Sequence, residues 1–438
     1  MTERIRSALL RVCLVVTAAV VVCAGAGVGA LSSPAQAAQA AQAAGTPADG
    51  ARSPAAGPTA GASSSAAPAR PAAETAQGQA IASQLLTQTS TTATPRDLAT
   101  VGGRQLASAG VVANYPSSAT PRVPSVPCSA YTLADAGSGQ VLAAKDAHGQ
   151  LKPASTLKML TAATLIPLLN PGAYVTASSA AAHVTPNIVG LLAGSNYQVA
   201  SLFDALLLIS ANDAAIALAQ GTGSLSAGIT LMNAEAHHLQ AYDIAAKDPN
   251  GLDAPGQHVS AYDLALVARA ALNQPAFLRY DQTRTYNFTV SPAKTETLAN
   301  QNSLLATYPG GIGGKIGWTS AAGATYIGLA KRNGVTLIVT ELHCPALTEI
   351  NYAKTLLNWG FAQDGKVPAV GRLVSPLPLK PAAPKFRVPS GAAEPVTAGS
   401  LTTSHVPGGL AAASIVLIVC AAAAAIILIL LRRRSLSR

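Results

Sequence analysis

The chain has 438 residues, of which 49% are hydrophobic, 11% charged and 4% aromatic, with a formal net charge of +10. Much of the apolar content is alanine, which serves linkers and membrane spans as readily as cores, so the composition excludes one uniform globule. Residues 1–37 and 432–438 together hold seven Arg and one Glu, a balance of +6; the remaining +4 gives no reason to invoke nucleic acid and suits at most mild attraction to an anionic wall or membrane surface.

The first element is a leader. Arg4, Arg6 and Arg11 precede an uncharged run from Val12 to Leu31, followed by Ala35-Gln36-Ala37. A basic n-region, an apolar stretch and an Ala-x-Ala site predict a signal peptide over 1–37, and the long apolar stretch leaves an uncleaved anchor as the competing reading. From Ala38 to about residue 120 the chain is dominated by Ala, Pro, Gly, Ser and Thr. It reads as a disordered linker, with a short helix conceivable over Gln79–Gln88.

Residues 121–364 form the one stretch able to bury a substantial core. Ser129 to Ala147 reads as two strands around a Gly137-Ser138-Gly139 turn, and Ala324 to His343 repeats that form around Asn333-Gly334, a strong hairpin signal. Between them Ser155–Ile166, Leu202–Gln220, Ser226–Leu239 and Ser260–Leu272 show apolar spacing of three and four, which predicts helices. Strands at both ends around a helical middle predict an α+β domain whose sheet is built from both termini.

A second linker, residues 365–409, carries eight prolines in 45 residues. Leu410 to Leu431 is a 22-residue run without a charge, about 33 Å as a helix and long enough to span a bilayer. Arg432, Arg433 and Arg434 follow. By the positive-inside rule residues 432–438 are a cytoplasmic tail and everything before the span is extracytoplasmic, which predicts a single-pass protein of the cell membrane. Of the five cysteines, Cys13 and Cys23 lie in the leader and Cys420 in the span. Cys128 and Cys344 are left outside, either as a disulfide or as two small buried thiols.

Three short constellations carry the chemistry. In Pro153-Ala154-Ser155-Thr156-Leu157-Lys158, a serine opening a helix has a lysine three residues on, so both side chains share one face. Serine is a weak nucleophile at its own pKa, and a neighbouring amine held neutral can serve as its base. Taken alone this spacing arises often by chance, as a helix cap with a surface lysine. In Ser210-Ala211-Asn212-Asp213 a hydroxyl and a carboxamide lie two residues apart; the plain reading is a polar helix junction. In Gly313-Gly314-Lys315-Ile316-Gly317-Trp318-Thr319 a lysine among glycines on a strand edge would let a substrate backbone approach; the plain reading is a turn. The seven histidines show no metal-ligand spacing, and no cofactor is expected.

Together, Ser-x-x-Lys, Ser-x-Asn and a Lys-x-Gly strand resemble the signature set of penicillin-binding proteins and serine β-lactamases. Pro249-Asn250-Gly251-Leu252-Asp253, Ser260-Ala261-Tyr262-Asp263-Leu264-Ala265 and Asn300-Gln301-Asn302-Ser303-Leu304-Leu305 narrow the resemblance to the serine D-alanyl-D-alanine carboxypeptidases, over roughly Ser129 to Gly360. The resemblance implies a penicillin-binding, β-lactamase-like domain, peptidoglycan stem peptides as substrate and β-lactams as inhibitors; many members of the family also carry a β-rich second domain and an amphipathic anchor, in place of which this chain has the proline-rich linker and the apolar span, so no second globular domain is expected. It implies Ser155 as nucleophile, Lys158 as its base and Ser210 as proton relay to the leaving amine. Asn212, Lys315, Gly317, Trp318 and Thr319 would bind substrate, with the backbone N–H groups of Ser155 and Trp318 as oxyanion hole. It also makes the first and last strands antiparallel neighbours, which would pair Cys128 with Cys344.

One departure stands out. The family has Thr or Ser where this chain has Ile316, which keeps a β-branched shape and loses a hydroxyl that would bond the substrate carboxylate, with Thr319 or Ser320 as substitutes. A non-catalytic wall-binding or scaffold protein disabled at Ile316 is therefore the alternative to an enzyme. A β-lactamase would need a deacylating base, and the nearest match, Glu296-Thr297-Leu298-Ala299-Asn300, has its leucine displaced.

Overall fold

The computed structural model describes residues 74–89 and 101–379. The leader, the apolar run Leu410–Leu431, the basic tail, Cys13, Cys23, Cys420 and residues 380–409 of the second linker lie outside them. Among the described residues no single helix is long and apolar enough to cross a membrane.

In chain order the elements are α1 (Ala76–Thr89), β1 (Val111–Ala113), β2 (Ala130–Asp135), β3 (Gln140–Lys145), α2 (Lys158–Leu165) and β4 (Tyr174–Thr176). Then come β5 (Asn196–Gln198), α3 (Val199–Leu208), α4 (Asn212–Gln220), α5 (Leu225–His238), α6 (Ala261–Leu272) and α7 (Pro275–Asp281). The chain continues with β6 (Thr285–Ser291), β7 (Lys294–Ala299), β8 (Gly311–Thr319), β9 (Gly323–Arg332), β10 (Val335–Cys344), α8 (Glu349–Gln363) and β11 (Gly371–Arg372).

Among the described residues the main sheet has seven strands in the order β1-β3-β2-β10-β9-β8, with β11 also pairing β3. The expected α+β architecture is what forms: β2 and β3 from the front of the domain sit beside the β9–β10 hairpin from its end. The registers Leu342↔Ala130 and Leu337↔Asp135 are antiparallel and set the two halves edge to edge. Alternation along β10 sends Ile338 and Leu342 into the core under the helices, and Leu337 and Val339 into a second core under α8. Both faces are covered, which is why β2 and β10 are buried almost throughout.

The ordered domain is wider than 121–364. Part of the expected N-terminal linker is α1, and it is docked: Thr75 N–H donates to Leu168 O, and Leu85 is buried. β1, also from that stretch, pairs β3. At the other end residues 365–379 of the proline-rich segment lie along the domain, with Val370 N–H on Val141 O and Leu373 N–H on Gly139 O. The Ala, Gln and Pro content of these segments obscured a few well-placed apolar anchors, Ile81, Ala82, Leu85, Val370 and Leu373, which tertiary packing uses.

The stretch Leu202–Gln220, expected as one helix, is two. α3 ends at Leu208, Ser210 takes a φ of 62°, and α4 begins at Asn212. A left-handed residue between two right-handed helices forces the break. β8, α8 and the β6–β7 hairpin complete the fold; of these the sequence pattern marks only part of β8.

Candidate active site

Ser155 lies in the short 3-10 turn Ala154–Leu157 that leads into α2, and Lys158 is the first residue of α2. Lys158 is fully buried, and its Nζ is 3.0 Å from Ser155 Oγ, 2.6 Å from Asn212 Oδ1 and 2.6 Å from Asn250 O. The last two partners only accept. They take two N–H bonds of the amine, so a neutral lysine has its lone pair left for the Ser155 hydroxyl. Burial first, and the nearby Lys315 ammonium second, hold Lys158 well below the usual lysine range, while Asp248 and Asp213 oppose them.

Two carboxylates shape the walls around that amine. Asp248 accepts from Asn250 N, Gly251 N and Gln257 Nε2, which fixes the loop that presents Asn250 O to Lys158. Asp213 accepts from the backbone N–H groups of Val189, Gly190 and Leu191 and pins the segment that follows Asn187. Asn212 N–H donates to Asn187 O, and its Nδ2 donates to Thr185 O. Both ends of the Asn212 carboxamide are therefore engaged within the protein, one on Lys158 and one on the wall.

β8 forms the opposite side. An added Cβ at Gly317 would lie 2.7 Å from Ser155 N and 2.9 Å from Thr156 N, so only glycine lets this strand press against the nucleophile's turn. Thr325 on β9 reinforces the contact by donating to Pro153 O at 2.8 Å. Thr319 Oγ1 accepts from Ala322 N and donates to Asp253 Oδ1 at 3.3 Å.

The result is a cleft of roughly 280 Å³ lined by Ser155, Ser210, Asn212, Ile316, Gly317, Trp318, Thr319 and Ser320, with Thr185–Asn187 and Gly251–Asp253 as walls. Three segments far apart in sequence thus meet at one place. Ser210 Oγ is buried there with no hydrogen-bond partner among the described residues. Lys315 stands apart from the other candidates: it is 2% exposed, behind the cleft lining, and its Nζ donates to Ile316 O.

Asn250, Asp248, Asp213 and Gln301 also belong to the site and had no role assigned from sequence. Three of them lay in motifs already singled out, Asn250 and Gln301 in the carboxypeptidase-like segments and Asp213 beside Asn212. Asp248 had no such signal, because its function is to fold the loop after it. Cys128, two residues before β2, and Cys344, the last residue of β10, are joined by a disulfide with Cα atoms 4.0 Å apart.

Comparison with known proteins agrees with this geometry. A family model described as D-alanyl-D-alanine carboxypeptidase matches residues 117–345. The chain is 37% identical to the D-alanyl-D-alanine carboxypeptidase DacB2 of Mycobacterium tuberculosis over 257 residues, 57% of this chain and 88% of that protein. It is 33% identical to the D-alanyl-D-alanine carboxypeptidase DacD of Salmonella typhimurium, of which it spans 64%. Among solved structures, a D-alanyl-D-alanine carboxypeptidase from Mycobacterium tuberculosis matches with a TM-score of 0.57 at 36% identity, over 60% of this chain and 99% of that one. The Streptomyces K15 DD-transpeptidase matches at 0.53 and 26% identity, over 55% of this chain and 100% of that one. By the extent of the family match, and by a relative covered over most of its length, the chain belongs to the D-alanyl-D-alanine carboxypeptidase family.

Proposed function

We propose that the protein is a serine D-alanyl-D-alanine carboxypeptidase that removes the terminal D-alanine of peptidoglycan stem peptides, and that β-lactams acylate the same serine. The observation that carries this reading is the buried Lys158 amine, 3.0 Å from Ser155 Oγ with acceptors at its other two contacts. Ser155 Oγ attacks the carbonyl between the two D-alanines while its proton passes to Lys158. The oxyanion is held by the backbone N–H groups of Ser155 and Trp318, two residues of the cleft lining. Ser210 relays the proton held by Lys158 to the departing amine as the peptide C–N bond breaks, which returns Lys158 to the neutral amine. Water then hydrolyses the ester, with Lys158 again taking the proton. Asn212 orients Lys158, and its Nδ2 exchanges Thr185 O for the acylated peptide.

The purified full chain incubated with a peptide ending in D-Ala-D-Ala should release D-alanine. Penicillin should leave a covalent adduct on the peptide that contains Ser155, and Ser155→Ala should lose both. An adduct on another serine, or full labelling of the alanine variant, would sink the assignment.

We also propose that the catalytic domain works outside the cell membrane, tethered through Leu410–Leu431. Support comes from the charge-free run and from Arg432, Arg433 and Arg434 directly after it. Protease added to intact protoplasts should remove the domain and spare the tail; protection of the domain would refute this orientation.

A further inference from the structure

Two segments that the sequence pattern assigns to linkers meet away from the cleft, and an imidazole fastens them to the domain. His148, in the loop between β3 and α2, has its side chain 9% exposed and lies on no part of the cleft lining. Its Nδ1 is 2.8 Å from Asp243 Oδ2, and its Nε2 is 3.0 Å from Val101 O. A carboxylate and a carbonyl can only accept, whereas a neutral imidazole has a single N–H to give. Both contacts are hydrogen bonds at once only when the ring and the carboxylate hold two protons between them. Imidazole is the stronger base of the two, so both protons belong to the ring.

Val101 to Gly103 is a strap fitted to its place. An added Cβ at Gly102, whose φ is 81°, would lie 2.5 Å from the Tyr262 hydroxyl, so the strap presses on α6. Gly102 O accepts from Arg372 N at 2.7 Å, and the Tyr262 hydroxyl donates to Arg372 O at 2.8 Å, which holds β11 against the strap. The Tyr262 ring stands 4.9 Å from the imidazole. On the inner side Asp263, 1% exposed, accepts from Asp243 N at 2.6 Å and fixes the residue that faces the ring. Burial first, and Asp243 second, push the Asp263 carboxyl well above the usual carboxylate range. The other charged or titratable groups on the elements round the ring are Asp146 on its own loop, Tyr242 beside Asp243, and the exposed Arg104 and Arg372 on the side of the strap.

We propose that His148 is a pH-sensitive latch: its doubly protonated ring bolts the strap Val101–Gly103, and through it β11, to the domain, and loss of one proton lets the strap go. The proton that stays is the one shared with Asp243, because a hydrogen bond to a charged acceptor is the stronger of the two. Nε2 then turns a lone pair toward Val101 O, and that contact is lost. The latch is closed in acid and opens as pH rises.

Hydrogen exchange in the full chain, read by peptide mass spectrometry and corrected for the intrinsic rate at each pH, tests this without any substrate. Between about pH 5.5 and about pH 8.5 the amides of 101–108 and 370–374 should lose protection about tenfold or more, the effect of one charged hydrogen bond, while those of β10 hold theirs. His148→Gln has no proton to lose, so its protection should be the same at both pH values. Asp243→Asn can turn its Nδ2 toward Nδ1 and donate, which leaves the one N–H of a neutral ring for Val101 O; its strap should stay protected throughout. Melting temperature is measured for both variants, so that one of the pair supplies folded protein. Equal protection at the two pH values in the wild-type chain overturns the proposal, and so does a pH-dependent loss that survives in either variant. Release of the strap by EDTA at constant pH overturns it as well, because a metal ion and not a proton would then join His148 to Asp243.

Discussion

Ile316 is 8% exposed on β8 and lines the cleft beside the Gly317 contact with Ser155. A hydroxyl at this position would face the terminal carboxylate of a bound peptide. Thr319 does not take its place in this structure, because its hydroxyl already accepts from Ala322 and donates to Asp253. A hydrogen bond to a charged group contributes about 1.5–3 kcal/mol, roughly one to two decades in rate. Ile316→Thr should therefore raise the penicillin acylation rate severalfold or more, as followed by stopped-flow fluorescence. Equal rates would mean that another donor, such as Ser320, already fills the role. At this scale the sequence was informative for groups whose type and spacing declare chemistry, as with Ser155, Lys158, Ser210 and Asn212. It was silent on Asp248, because a carboxylate that works by folding the loop after it has no spacing signature.

Among the elements, β8 has the narrowest tolerance. It supplies the cleft wall with its side chains and braces the nucleophile with its backbone. Gly317→Ala would drive a methyl group to within 2.7 Å of Ser155 N and into the Thr325 hydroxyl at 2.4 Å. The neighbouring atoms on Ser155 are backbone, which cannot swing aside. Acylation should fall by at least about a hundredfold, as expected when reacting groups are displaced by an ångström, while the melting temperature moves much less. A variant that labels at the normal rate would show that the turn at Ser155 is free to yield. The helices and hairpins were legible from apolar spacing and from Asn333-Gly334. The interruption at Ser210 was not, because Leu206, Ile209 and Ile216 continue a helical pattern straight through it. The polar run Ser210-Ala211-Asn212-Asp213, whose plain reading is a helix junction, marked the spot. The helix junction and the hydroxyl proposed as proton relay coincide, since the left-handed residue Ser210 lies on the cleft lining.

For the molecule as a whole, the architecture was readable and the extent was not. Strands at both ends of the domain and helices between them were enough for an α+β sheet; a short helix over Gln79–Gln88 was conceivable and α1 contains it, but its docking, and β11, were hidden in alanine-rich and proline-rich composition. The disulfide closes a sequence separation of 216 residues. In the chain-entropy model such a closure is worth about 5 kcal/mol. Replacing Cys128 and Cys344 together with Ser should lower the urea midpoint and leave acylation of the folded fraction intact. A midpoint that does not move would place the bond outside the stability of this domain.

The sheet order has one more consequence, for the moment of synthesis. β2 is a central strand, and one of its two partners is β10, which enters the chain some two hundred residues later. A chain that emerges from its amino end must hold β2 with an open flank, a template for wrong pairing, until the final hairpin is out. Contacts this distant also make for slow folding. Ser155 and Lys158 are present early, but the strand that braces them comes near the end, and its own support, β9 and β10, later still. Nascent chains arrested at Gly334 should fail to react with penicillin, and chains extended through Gln363 should react. On the proposed mechanism a chain cut short in translation carries Ser155 and Lys158 without the strand that braces them, and should show no acylation.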